Sequence, residues 1–165
     1  MNHDLETLMD LHAPSLLRYA ERLVRNPHSA QDVVQQVFVS YCRLPTDSLP
    51  AEGARKTWLY RAVHHQAVDL IRAEQRRKKL HEAHSSQQLP AQSAGDRGER
   101  KQLIREQLHR LKDQEKQVLL LRLEEGLSYR EISEVTGLKE GHIGYLLHQA
   151  VRNLAEVFQT SRGSA

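Results

Sequence analysis

Residues 126–138 read GLSYREISEVTGL, and this stretch decides the fold of the C-terminal half of the chain. Ser128 and Glu131 have the spacing of a capping box, in which each side chain accepts the backbone amide of the other residue. The glycine at position 137 predicts a turn. A second amphipathic helix follows, with apolar residues at helical spacing: Ile143, Leu147, Ala150, Leu154 and Phe158. A short capped helix, a turn and a longer helix are the pattern of a helix-turn-helix.

This pattern has two interpretations. In DNA-binding versions the second helix enters the major groove and its N-terminal residues touch the bases. A plain helical hairpin that serves only packing has the same spacing. The pattern favours DNA binding, and other parts of the chain are needed to decide.

The N-terminal half is also helical by its periodicity. Pro14 predicts a break or a kink in the first helical pattern. Pro27 predicts a stop after residue 26, because proline disfavours helix in the residue that precedes it. Ser29, followed by Asp32, predicts the start of the next helix. A proline- and glycine-containing loop over residues 44–53 then precedes a long helix.

A polar segment separates the two halves. Residues 84–99 contain one leucine and no aromatic residue, so they cannot bury enough apolar area to offset the entropy of ordering them. The sequence therefore predicts an all-α protein of two small helical domains. The expected bounds are a first domain at 1–82, a flexible linker at 83–99, a second domain at 100–160 and a tail at 161–165. In the second domain, Asp113 is the predicted N-cap of an apolar helix.

Positive charge is concentrated in one segment. The chain carries 24 Lys and Arg against 21 Asp and Glu, and its net charge of +3 says little about partners. Residues 1–53 carry −3, residues 54–80 carry +6 and residues 81–165 are neutral. The +6 segment also holds the aromatic and imidazole rings of Trp58, Tyr60, His64 and His65.

Cations attract phosphates, and flat rings stack on unpaired bases. The +6 segment therefore favours melted or single-stranded DNA over an intact duplex. The alternative is a solvated basic face on an ordinary core helix. Trp58 itself is expected in the core more than on a base, because large aromatic side chains mostly bury.

The composition excludes several other classes. A chain of 165 residues leaves little room for a large α/β enzyme, and no phosphate-loop, nucleophile-elbow or zinc-protease pattern occurs. No apolar run approaches the roughly 18 residues that span a bilayer. Cys42 has no partner for an internal disulfide, which indicates a reducing cytoplasm. His81 and His84 fall short of a zinc ligand set. We expect no metal, no cofactor and no enzymatic activity.

Three segments, in this order, resemble an extracytoplasmic-function (ECF, group IV) sigma factor, a specificity subunit of bacterial RNA polymerase. Residues 30–41 (AQDVVQQVFVSY) resemble the core-binding helix of region 2. Residues 57–72 (TWLYRAVHHQAVDLIR) resemble its promoter-melting and −10-recognition helix. Residues 126–138, with LHQA at 147–150, resemble region 4, which contacts the −35 element.

The resemblance implies a protein that binds core RNA polymerase, directs it to promoter DNA and assists strand opening. The residues implied at the β′ clamp helices are Asp32, Val33, Gln35, Gln36 and Phe38. Those implied at the non-template strand around the −10 element are Lys56, Arg61, His64, His65, Arg72 and Arg76. Those implied at the −35 element are Lys139, His142, Tyr145, His148 and Arg152.

Other parts of the chain take implied roles as well. The loop at 44–53 lies where the family captures a flipped base. The helix with Leu119, Leu120 and Leu123 would pack region 4 and approach the β flap. An anti-sigma factor is an implied partner, since exposed docking surfaces must be masked to switch such a factor off.

The second helix of the helix-turn-helix departs most from the family pattern. Lys139 and Arg152 are its fixed cations, with His142 and His148 ionisable, where the family usually carries more lysine and arginine. Each lost phosphate contact weakens binding and lowers the salt slope by roughly 0.9. Gly144 inside the helix costs about 1 kcal/mol relative to alanine, unless close approach to DNA or a partner requires it. We expect weak or unusual −35 contact, with region 2 dominating promoter selectivity.

Two alternatives to the sigma factor stay open at this point. One is a stand-alone transcription regulator that binds duplex DNA through residues 128–154. The other is a sigma-like polymerase- or protein-binding module with weakened −35 contact. Run-off transcription with core polymerase separates all three.

Overall fold

The computed structural model describes residues 2–82 and 99–162, which form helices and turns with no strand among them. The helices are α1 Asn2–Val24, α2 Pro27–Cys42, α3 Arg55–Glu82, α4 Glu99–Arg110, α5 Asp113–Leu123, α6 Tyr129–Thr136 and α7 Glu140–Arg162. The chain divides into two compact units, the first with α1 to α3 and the second with α4, α5, α7 and the beginning of α6. The all-α prediction is confirmed.

In the first unit, α1 packs on both α2 and α3. Each helix contributes fully buried side chains to one core: Leu16, Tyr19, Ala20, Val37, Leu59, Tyr60, Val63 and Ala67. This burial supplies the main free energy that holds the helices together. The outward faces of α2 and α3 are left to carry polar and charged groups.

The first unit corrects two predicted boundaries. Pro14 lies inside an unbroken α1. The Pro14 ring is exposed, so the backbone carbonyl that receives no hydrogen bond from a proline can bind water instead. Buried residues before and after Pro14 hold the helix together. The next helix begins at Pro27 rather than Ser29, because Asn26 is the N-cap. The Asn26 Oδ1 accepts the His28 amide at 2.9 Å and the Ser29 amide at 3.1 Å.

In the second unit, α5 packs on α7. The buried apolar side chains include Val118, Leu121, Leu127, Ile132, Ile143 and Ala150. The predicted capping box is confirmed, since the Ser128 amide donates to Glu131 Oε2 at 2.7 Å and the Glu131 amide donates to Ser128 Oγ at 3.1 Å. Gly137 takes φ +76°, a left-handed conformation that closes α6.

Two boundaries of the second unit differ from the prediction. Lys112, not Asp113, occupies the N-cap position of α5, and Asp113 is the first helical residue. The Lys112 amide donates to Glu115 Oε2 at 3.3 Å, so the carboxylate caps the helix start from N3. Helix α7 continues to Arg162, so the predicted tail starts too early. The predicted linker at 83–99 lies outside the described residues except for Glu99, which begins α4.

None of the described helices combines the length and the apolar character that crossing a bilayer requires. The described residues also contain no group of three His, Cys, Asp or Glu side chains arranged to hold a metal ion. His84, one of the two histidines weighed as metal ligands, is outside the described part of the chain.

Candidate polymerase and DNA interfaces

A groove of about 410 Å³ runs along the outer face of α2. Three predicted polymerase-binding residues, Asp32, Gln35 and Gln36, line it, and all three are exposed. The other two, Val33 and Phe38, are buried in the core and can support this surface only from beneath. The helical repeat explains the division, because residues three to four apart share a face.

Sequence reasoning missed other residues of this groove. Val39 and Ser40 extend it along α2, Arg43 extends it just past the end of that helix, and Gln66 enters from α3. Val39 is 48% exposed, although its neighbours Val37 and Phe38 are core residues. The Gln66 Oε1 itself is buried and has no hydrogen-bond partner among the described residues. Val39 was detectable from its i+3 spacing to Gln36, whereas Gln66 required the packing of two helices.

The basic surface lies along α3. Arg61, His65, Arg72 and Arg76 are exposed, as predicted for residues that face DNA. All residues from 75 to 82 are exposed, so the C-terminal third of this helix stands free of the core of its own unit. Lys56 is half-buried, with its ammonium 6.0 Å from the centroid of the Tyr60 ring.

The structure corrects the prediction for His64. Its side chain is 5% exposed, and its Nδ1 lies 2.9 Å from the Tyr19 hydroxyl on α1, so it cannot face a DNA strand from this position. Burial, followed by the charges of His65 and Arg72, lowers the pKa of His64 to about 4. The imidazole is therefore neutral at pH 7 and acts as a core hydrogen-bonding group.

Tyr60 is also a core residue rather than a stacking platform. It is fully buried, and its ring meets Tyr19 edge-on with centroids 5.7 Å apart. Trp58 is half-buried, with its ring edge-on to Tyr41 at 5.4 Å, which fits the expected structural role. Of the four rings in the +6 segment, His65 is the one that is exposed. The exposed chemistry of this helix is therefore mainly cationic.

The helix-turn-helix presents all five predicted residues to solvent. Lys139, His142, Tyr145, His148 and Arg152 are exposed on α7 or at its start. The His142 and Tyr145 rings lie nearly parallel, with centroids 6.1 Å apart and planes at 17°. Behind them, the Arg122 guanidinium stands 5.3 Å from the Tyr129 ring centroid and donates to the Leu127 carbonyl at 2.9 Å. These contacts hold the turn that precedes α6.

A second groove, of about 470 Å³, lies between α4 and α7 of the second unit. Its lining includes Leu111, Leu154 and Val157, with Gln107 among the polar members. Gln107 is 4% exposed and its Oε1 has no hydrogen-bond partner among the described residues. Leu119 and Leu120 are buried, but Leu123 is 69% exposed, so α5 also carries an apolar side chain at the surface.

Comparison with known proteins decides the family. The sigma-70 region 2 model matches residues 8–77, and the sigma-70 region 4 model matches residues 101–154. The RNA polymerase sigma-E factor of Streptomyces avermitilis is 30% identical over 88% of this chain and 80% of its own length. The ECF RNA polymerase sigma factor SigL of Mycobacterium tuberculosis is 28% identical over 94% of this chain and 89% of its own length. This chain belongs to the ECF sigma factors.

A solved structure supports the fold of this sigma factor. The sigma factor RpoE of Bartonella quintana, crystallised with the anti-sigma factor NepR, superimposes with a TM-score of 0.78. The match covers 94% of this chain and 97% of that one, at 20% sequence identity. The sigma factor therefore shares the fold of RpoE.

Proposed function

We propose that this ECF sigma factor, of group IV, binds core RNA polymerase, directs it to specific promoters and assists DNA strand opening. The observation that carries the proposal is the division of surface in the first unit. One side presents a polar groove on α2, and the C-terminal part of α3 presents a free run of cations. A sigma factor is a regulatory subunit, so the bond-making chemistry belongs to the polymerase.

The α2 groove is the proposed seat of the β′ clamp helices. Asp32, Gln35 and Gln36 supply acceptors and donors, while Val39 supplies an apolar contact at the centre. Gln66 of α3 adds an amide side chain to the lining of the groove.

The exposed cations of α3 are the proposed contact to the non-template strand. Arg61, Arg72 and Arg76 are positioned to neutralise phosphates, and His65 offers a ring on which an unpaired base can stack. The loop at 44–53, with Leu49 39% exposed, is the proposed place where a flipped base is held. Trapping unpaired bases assists strand opening without any hydrolysis, because the bound state offsets the cost of unstacking.

The second unit is proposed to meet the −35 element through α7 and the β flap through its apolar surface. The groove between α4 and α7, with Val151 and Phe158 exposed beside it on α7, fits an apolar segment of the flap. An anti-sigma factor is a further proposed partner, as NepR is for the RpoE structure, because exposed apolar groups of this kind are masked when such a factor is switched off. The proposed compartment is the cytoplasm.

Run-off transcription with purified core RNA polymerase tests the proposal. Initiation at a discrete start site that requires this chain supports it. Protection of duplex DNA by the chain without polymerase would instead indicate a stand-alone regulator. Core binding without initiation would indicate a docking module that has lost promoter contact.

The docking surface is tested by a matched pair of variants on α2. Gln36→Ala combined with Val39→Ala removes contact atoms from the groove, and we expect about tenfold weaker binding to core polymerase. Gln31→Ala changes an exposed glutamine of the same helix that does not line the groove, and should bind as the native chain does. Equal affinity of the two variants in a fluorescence anisotropy titration would disprove this docking site.

A further inference from the structure

Two flat rings lie side by side in solvent on α7. His142 and Tyr145 are both exposed, with Tyr145 at 58%, and their planes are nearly parallel. At 100° per residue, both rings lie away from the buried face marked by Ile143 and Ala150. The pair therefore forms a plate near the start of the second helix of the helix-turn-helix, which is the part that reaches base edges in such motifs.

The fixed charges of α7 around this plate sum to zero. Over residues 139–156, the fixed charges are Lys139 and Arg152 against Glu140 and Glu156. The Arg152 Nε also lies 3.6 Å from Glu156 Oε1, so a carboxylate already neighbours that cation. Affinity for duplex DNA normally comes from cations that displace counterions from phosphates. On α7 that source is small, so we expect the selective contacts to come mainly from neutral groups.

A glycine beside the rings leaves the backbone at the start of the helix accessible. Gly141 is the second residue of α7, and an ideal Cβ there would meet nothing within 4 Å, whereas a Cβ at Gly144 would lie 3.5 Å from Tyr129 Cε2. A glycine at an exposed position lets another molecule approach the helix backbone closely. Gly141 and Tyr145 are four residues apart and share this face.

We propose that α7 reads base edges in the −35 duplex through the His142–Tyr145 ring pair, with Gly141 allowing close approach and phosphate contacts contributing little. This inference rests on the proposed function and specifies how its second DNA contact is made. The imidazole and phenol groups donate and accept hydrogen bonds, and the ring edges fit the methyl group of thymine. The partner is therefore the major-groove surface of duplex DNA, read by neutral groups.

The test uses the holoenzyme formed by the full chain and core RNA polymerase. Selection from a duplex pool of random sequence first yields a bound promoter, in which we expect an upstream and a downstream block of enriched bases. Competition between this promoter and a copy with the upstream block scrambled then measures the upstream preference. Tyr145→Ala and His142→Ala should each lower that preference by about tenfold. Gly141→Ala should also lower the upstream preference, and circular dichroism should show that this variant keeps its helix content.

The controls separate base reading from phosphate binding. Gln159→Ala changes an exposed residue of α7 outside the ring pair and should leave the preference within about twofold. Lys139→Ala should weaken binding to the intact promoter and to the scrambled promoter equally, and it should lower the salt slope by roughly 0.9. Tyr145→Ala should leave the salt slope unchanged.

Two results would overturn the inference. One is a Tyr145→Ala holoenzyme that keeps the upstream preference or loses it only through a lower salt slope. The other is a native holoenzyme that enriches a downstream block alone, because α7 would then read nothing. Both leave initiation intact, whereas failure of the proposed function appears as no initiation in the run-off assay.

Discussion

The two units of this sigma factor carry their DNA-binding chemistry in opposite ways. In the first, residues 54–80 hold a net charge of +6, and the C-terminal end of α3 stands in solvent. In the second, α7 presents a neutral surface of rings and glycines. Cations such as those on α3 gain affinity from phosphates whatever the base sequence, whereas neutral rings such as those on α7 can gain selectivity from base edges.

The largest expected effect lies in the first unit. Arg72→Ala combined with Arg76→Ala should weaken promoter binding by the holoenzyme by about a hundredfold and lower the salt slope by roughly 1.4, because two contacts to single-strand phosphates are lost. Arg152→Ala in the second unit should change binding by less than about threefold, since Glu156 already neighbours that cation. Filter binding at several salt concentrations measures the promoter affinity and the salt slope of both variants. Equal losses of affinity in the two variants would contradict the difference between the units.

The next effect is the dependence of stability on pH in the first unit. The pKa of His64 is about 4 in the folded chain and near 6.5 when unfolded, so acid protonates the unfolded state first. Stability is therefore complete above pH 6.5 and is lost as the pH falls toward 4. Between pH 7 and pH 5 the unfolding free energy should drop by about 2 kcal/mol from this residue.

Trp58 is the one tryptophan and lies in α3, so its fluorescence follows unfolding of the first unit in urea. His64→Phe combined with Tyr19→Phe replaces the buried polar pair by rings and serves as the control. The control should lose this part of the pH dependence, whatever its stability at pH 7. An unchanged difference between pH 7 and pH 5 would contradict a neutral, buried His64.

A smaller effect concerns the helix-turn-helix. Ser128→Ala removes the hydroxyl that accepts the Glu131 amide and should destabilise the second unit by about 1 kcal/mol. Hydrogen exchange of the α6 amides reports the stability of this helix directly. Ser40→Ala removes a hydroxyl that bonds only a carbonyl within α2, and it should leave α6 exchange unchanged. Unaltered exchange in the Ser128 variant would mean that packing alone fixes the helix start.

The smallest expected effect is a gain in stability. Gly144→Ala should stabilise α7 by up to about 1 kcal/mol, because the added Cβ meets the Tyr129 ring at an ordinary contact distance of 3.5 Å. Gly137→Ala should do the opposite, since its φ of +76° is unfavourable for alanine. Thermal unfolding of the two variants should show shifts of opposite sign. Destabilisation by both would indicate that Tyr129 cannot yield at Gly144.

The helices and most exposed site residues could be predicted from sequence because both follow from one period, 3.6 residues per turn. His64 shows where the reasoning failed. The family resemblance implies a DNA-facing position for it, although Tyr60, Val63, His64 and Ala67 form a buried stripe at spacings of three, one and three. Attention to that stripe would have placed the histidine inside.

Other features depend on packing and were beyond the sequence. Gln66 of α3 lines the α2 groove, and the spacing of residues within α2 cannot predict its presence there. The start of α2 was misplaced because two cap signals, Asn26 and Ser29, lie three residues apart and compete. The asparagine prevails because Pro27 is already set to the backbone angle of a first helical residue.

The hydrogen bond between Tyr19 and His64 ties together two positions that are 45 residues apart in the chain. A substitution at either one alone removes a buried partner from the other, whereas a joint change to two apolar rings keeps the volume and removes both polar groups. The two positions are therefore expected to vary together during evolution. Relatives that lack the histidine should also lack the tyrosine hydroxyl, and drift at this site should proceed through paired substitutions rather than single ones.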